Sequence, residues 1–184
     1  MSLRQSVDSR RIQLFLTELG KRFREHARIY LVGGTTVVYE GLRQQTLDID
    51  LVIEVAGESH AELVEAIRQL KDSLSINVEE ASPGDFVPLP EGYASRHLFV
   101  ERFGKIDVFH FDLYSTALSK IERGRTQDNE DVLALLSRGK IEWERLAGFF
   151  QEILPRFGRE SLRQDPVEFR RNFEALEELW RARR

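Results

Sequence analysis

The chain has 184 residues, 41% hydrophobic and 32% charged, the composition of a folded domain with its own core, and this excludes global disorder. With no cysteine, it cannot carry disulfides, thiolate zinc sites, iron–sulfur clusters or thiol nucleophiles, so its chemistry must rest on oxygen, nitrogen or a metal they hold. A net charge of -4 argues against a broad basic surface for duplex DNA; with a polar amino end and no apolar run of roughly 18 residues, no membrane association and a cytoplasmic location are expected.

Between Val7 and Ala27 the residues Ile12, Phe15, Leu16, Leu19 and Phe23 recur at steps of three and four and predict an amphipathic helix. Arg28 to Val32 is a short strand pattern stopped by Gly33-Gly34, after which Thr35 to Glu40 reads as a helix start. Thr46 to Val55 alternates strictly, with Leu47, Ile49, Leu51 and Ile53 on one face and Asp48, Asp50, Val52 and Glu54 on the other. A helix is expected over Ser59 to Leu74, with Ser59 and Glu62 as a capping box. Ser75 to Ala81 reads as a strand, residues 82–92 as a proline-rich loop, and Arg96 to Glu101 with Lys105 to Phe111 as a β-hairpin. From Leu113 onward only helical periodicity remains, in Tyr114–Arg123, Asp128–Ser137, Ile141–Leu154 and Val167–Arg183, where Trp143, Phe149, Phe150 and Trp180 read as core. The expected fold is therefore α+β, a small mixed sheet flanked by helices over residues 1–112 and a helical C-terminal region over 113–184.

Two carboxylates at i and i+2 of one strand share a face with Cα atoms about 6.5 Å apart, which lets Asp48 and Asp50 ligate one hard divalent cation or bracket two. Oxygen ligands of this kind suit Mg²⁺, which takes one or two carboxylates plus substrate phosphates. Upstream, Gly33-Gly34 lies between a strand and a helix, where missing side chains let backbone N–H groups approach a phosphate. Read singly, each motif also fits a solvated strand face or an ordinary turn.

The pair together, Val32-Gly33-Gly34 followed by Asp48-Ile49-Asp50-Leu51, resembles the nucleotidyltransferase superfamily of the DNA polymerase beta type. The resemblance implies that Gly33, Gly34 and Thr35 hold the triphosphate of an NTP and that Asp48 and Asp50 hold Mg²⁺. It also implies a third carboxylate from a later strand, for which Asp107 is the leading candidate and Asp112 the weaker one. If Lys105 to Phe109 is a strand with Ile106 and Val108 packed inward, alternation sets Asp107 on the same side of the sheet as Asp48 and Asp50, and its carboxylate is expected within one cation's reach of theirs. Within the superfamily, Lys120-Ile-Glu-Arg123 followed by Asp128-Asn-Glu-Asp131 is similar to the bacterial branch that includes the abortive-infection nucleotidyltransferase toxins. That likeness makes Lys120 a candidate catalytic cation and Arg123 and Asp128 candidate nucleotide-binding residues. Gln127 stands where the branch has a basic residue, and Asp128 and Asp131 read equally as a helix cap and first-turn acid.

The implied activity is Mg²⁺-dependent transfer of a nucleoside monophosphate to a hydroxyl. The acceptor stays open between an RNA end, a protein and a small molecule, and pairing with an antitoxin is compatible with the likeness. The alternative is a non-catalytic nucleotide- or partner-binding module that keeps the fold. A Walker A loop and a dinucleotide fingerprint are both absent around Gly33-Gly34-Thr35-Thr36, and the four histidines lack zinc-hydrolase spacing.

Overall fold

A computed structural model describes residues 6–159 and 165–184. These form two compact units, one of residues 6–81 and 97–111 and one of residues 82–96, 112–159 and 165–184.

The first unit is a five-stranded mixed sheet with helices. Helix α1 (Ser9–Arg22) is started by Asp8, whose side chain accepts from the Arg11 N–H, and it buries Ile12, Phe15, Leu16 and Leu19 as its periodicity predicts. Strand β1 (Ala27–Leu31), helix α2 (Gly33–Tyr39), strand β2 (Asp48–Val55), helix α3 (Gly57–Ser73), strand β3 (Asn77–Glu80), strand β4 (Leu98–Phe103) and strand β5 (Ile106–His110) follow. The sheet order is β3-β2-β1-β5-β4, with β1 antiparallel to β2, parallel to β5, and β3 parallel to β2.

One face of this sheet is apolar. Ile29, Leu31, Ile49, Leu51, Val78, Ile106 and Val108 share a core with the buried stripes of α1 and α3. Strand alternation therefore delivers Asp48, Asp50, Asn77, Glu79 and Asp107 to the other face. The capping box expected at Ser59 does not form: α3 begins at Gly57, one residue after β2 ends, with no side-chain cap at Ala56, and the Ser59 N–H bonds to the Ala56 carbonyl instead. A single residue, Ala56, joins strand to helix, and its methyl side chain has no acceptor with which to cap it.

The second unit is helical: α4 (Leu113–Arg123), α5 (Thr126–Ser137), α6 (Trp143–Ile153) and α7 (Pro166–Arg181). Phe150 stacks on Phe173 at 3.9 Å between ring centroids, and Trp143 stacks on the same ring at 5.1 Å, so the aromatic periodicity of the last two helices is core packing. The proline-rich segment belongs to this unit and not to the sheet: the Glu91 N–H bonds to Glu152, Arg156 donates to the Leu89 carbonyl, and Arg96 pairs with Asp112. A division of the chain at 112 thus leaves residues 82–96 on the wrong side of it.

Candidate functional site

The Gly-Gly turn and the Asp-x-Asp strand are one assembly. The Val32 N–H donates to the Asp50 carbonyl at 3.2 Å, which puts the glycines at the level of the two carboxylates. Thr35, fully buried, accepts from the Asp50 N–H at 2.7 Å and donates to the Asp48 carbonyl at 3.4 Å. Its hydroxyl thereby staples the first turn of α2 to the acidic strand, a scaffolding use that differs from the phosphate contact the resemblance implies for it.

Gly33 is required twice over. Its φ of +56° lies in the left-handed region, and a Cβ there would stand 2.7 Å from Asp50 Oδ2. The missing side chain is what leaves room for the Asp50 carboxylate. Gly33→Ala is expected to cost about 1–2 kcal/mol of stability for the backbone alone and to displace Asp50 as well. A denaturant melt set beside an activity assay checks this: stability unchanged within error would show that the turn is not strained by a side chain.

The acid next to this pair is Glu79, which sequence reading missed. The β2–β3 register sets Asp48 opposite Asn77 and Asp50 opposite Glu79. The Asn77 amide, itself buried, donates at 2.7 Å both to Asp48 Oδ1 and to Glu79 Oε1, tying the two carboxylates together. The amide dipole offsets the repulsion that three acids on adjacent strands would otherwise suffer.

Asp107 is on the predicted face but not at the predicted place, which corrects the expectation that it stands within one cation's reach of Asp50. It is level with Arg28 and, across β1, with Glu54, whereas Asp50 is level with Val32. Four residues along the sheet and two strands across it amount to about 13 Å and about 10 Å. There Arg102 grips Asp107 in a bidentate pair at 2.6 and 3.1 Å, and that hydrogen-bonded guanidinium holds the carboxyl below the usual carboxylate range. Asp112 is no substitute, since it caps α4 through the Tyr114 and Ser115 N–H groups and pairs with Arg96.

The second motif folds into a buried ion network within the helical unit. Lys120, 1% exposed, donates to Asp128 at 3.1 Å and Asp131 at 2.7 Å; Arg123 also grips Asp128, and Gln127 donates to Asp131. Burial pushes the Asp128 carboxyl up, but hydrogen bonds and charge from Arg123 and Lys120 outweigh it and hold it below its ordinary value. Asp128 sits in the first turn of α5, which begins at Thr126 with Arg125 as its cap residue, so it is not the helix cap.

Cation-binding capacity follows from the donors. Among the described residues no group of three or more His, Asp or Glu side chains forms a ready metal cage. Asp48 and Asp50 instead offer two hard carboxylates on one strand face, beside a turn cleared of side chains, and this donor set fits Mg²⁺, which leaves most of its coordination to water and phosphate.

A mixed sheet that closes a strand–Gly-Gly–helix turn onto an Asp-x-Asp strand is the arrangement of the nucleotidyltransferase class. The chain belongs to the family described as nucleotidyltransferase of unknown function (DUF6036), whose model matches residues 10–181. No curated protein and no solved structure matches it. Among the described residues no helix is long and apolar enough to cross a membrane.

Proposed function

We propose that this chain transfers a nucleoside monophosphate from an NTP to a hydroxyl acceptor. The observation that carries the reading is the clearance at Gly33: the turn is glycine where any side chain would meet the Asp50 carboxylate. In the reaction the acceptor oxygen bonds to the α-phosphorus, the bond from that phosphorus to the α–β bridging oxygen breaks, and pyrophosphate leaves. Asp48 and Asp50 would hold Mg²⁺, which when bound supplies charge neutralisation for the phosphates. Gly33 and Gly34 admit the phosphate chain, Thr35 holds the acidic strand in place, and Glu79 is the carboxylate available to take the hydroxyl proton. Lys120, Arg123 and Asp128 act in this reading by ordering the helical unit. The acceptor is an RNA end, a protein or a small molecule, and a role beside an antitoxin in phage defence rests on the likeness of the Lys120 to Asp131 segment alone.

Incubation with each labelled NTP, Mg²⁺ and cell extract is expected to place label on one acceptor class and to release pyrophosphate. No labelled product with any of the four NTPs would overturn the reading. The enclosure of Lys120 by two carboxylates favours a second one, a nucleotide- or partner-binding module without turnover. Calorimetry separates them: tight NTP binding with no transfer selects the module.

A further inference from the structure

His110, the last residue of β5, is buried, and both of its ring nitrogens meet helix α2. Nδ1 lies 3.2 Å from the Thr36 hydroxyl, and Nε2 lies 2.8 Å from Glu40 Oε1. The Thr36 hydroxyl gives its own hydrogen to the Leu31 carbonyl at 2.7 Å. Toward the ring it can therefore only accept, and Nδ1 must carry a proton to meet it. A carboxylate also accepts, so Nε2 must carry a proton as well. A ring protonated on both nitrogens is an imidazolium, and Glu40, at the C-terminal end of α2, supplies the matching charge. Two further ionisable groups stand at this corner: Tyr39, edge-on to the ring at 5.9 Å, and Glu101 of β4, whose charge reaches Tyr39. Burial first, then Glu101 and Glu40, push the Tyr39 hydroxyl up, so it stays neutral. The partners of His110 in register on β1 and β4 are the uncharged Leu31 and Leu98.

What Thr36 holds gives the ring its consequence. The Leu31 carbonyl and the Val32 N–H belong to one peptide group, the last before Gly33. The Thr36 hydroxyl at 2.7 Å and the Phe111 N–H at 3.0 Å grip its carbonyl end, while its N–H end donates to the Asp50 carbonyl at 3.2 Å. Hydrogen bonds thus run from His110 through Thr36 and this peptide to the acidic strand. We infer that His110 is a positioning residue for the Gly-Gly turn, its imidazolium keeping the Thr36 hydrogen aimed at the Leu31 carbonyl, a regulation of the proposed nucleotidyltransferase site that rests on that reading. Glu40 fixes the proton on Nε2, so the proton that leaves is the one on Nδ1. The bare Nδ1 then accepts, competes with the Leu31 carbonyl for the Thr36 hydrogen, and loosens the peptide that sets Gly33 beside Asp50. A histidine held charged by the fold contributes fully below the ordinary histidine value, and that contribution is lost as pH rises through the folded value. Nucleotide affinity should therefore fall on the alkaline side.

Nuclear magnetic resonance of the ring nitrogens in the full chain, assigned through the backbone, tests the protonation state without any ligand. At pH 7.5, where a histidine of ordinary value about 6.5 is roughly nine-tenths neutral, His110 is expected to show two protonated nitrogens. A neutral ring at that pH overturns the inference. Glu40→Gln keeps the shape of the side chain without its charge and is expected to leave the ring neutral there; an imidazolium that survives the substitution overturns the part given to Glu40. Calorimetry with Mg–ATP reads the positioning. Wild-type affinity is expected to fall about 2- to 10-fold across the pH range in which the ring is seen to lose its proton, and Glu40→Gln to move both changes to lower pH together. Thr36→Val, which lacks the hydroxyl, is expected to abolish the fall. Affinity that stays constant while the wild-type ring loses its proton overturns the positioning role, and a fall that persists in Thr36→Val overturns the route through Thr36. Melting temperatures accompany every variant, and the wild-type ring spectrum set beside wild-type affinity carries the test if a variant fails to fold. A wild-type protein that binds no Mg–ATP at any pH overturns the nucleotidyltransferase reading and the positioning role with it, an outcome the ring spectrum does not share.

Discussion

Asp48→Asn and Asp50→Asn are each expected to reduce nucleotidyl transfer by more than the roughly 100-fold that loss of a supporting contact costs a metal site, with little change in folding. The asymmetry follows from where the side chains stand. Both lie on the polar face of β2, outside the core formed by Ile49 and Leu51, and an asparagine at 48 still offers an oxygen to the Asn77 amide. What the amides lack is negative charge for a hard cation. Melting temperatures within about 3 °C of wild type, beside abolished transfer, would mark the pair as serving chemistry. A drop of 10 °C or more would mark them as structural. Retained pyrophosphate release in the double variant would remove both from the site.

Much of this assembly was legible in the sequence, because it depends on local rules. The alternation of residues 46–55 marked Ile49 and Leu51 as buried, although Leu47, expected on the same face, precedes β2 and is 73% exposed, and Gly33-Gly34 between two patterned segments marked a turn. What escaped is what only pairing decides. Alternation placed Asp107 on the correct face, but its distance from Asp50 depends on the register of β5 on β1, which sets Asp107 against Arg28. Glu79 was missed for the converse reason: β3 has four residues, too few for a period to show, and its importance comes from lying parallel to β2. Lys120 was recognised by its spacing from Asp128 and Asp131, yet a lysine two residues after a leucine gives no sign of being 1% exposed. Residues 113–121 of α4 are all buried, and α4 packs against α5, α6 and α7.

The enclosed network gives the largest expected effect on stability. Lys120→Met keeps the length of the side chain and its apolar stem but removes the buried cation from both Asp131, to which Gln127 still donates, and Asp128, which Arg123 still holds. Breaking a buried ion pair from one side costs about 3–5 kcal/mol, because a desolvated charge is left behind. Adding Asp131→Leu is expected to recover a substantial part of that loss, since removing both partners lifts the penalty. The pH dependence has a definite sign. The Asp128 carboxyl is held below its ordinary value in the folded protein, so its contribution is complete above the unfolded carboxylate range and is lost as pH falls through the folded value. In Lys120→Met the charge of the lysine no longer opposes burial, and acid unfolding should begin at a higher pH than in the wild type. Chemical denaturation across pH 3 to 7 reads both effects. A variant as stable as wild type at every pH, yet inactive in transfer, would return Lys120 to the chemistry that its motif implies.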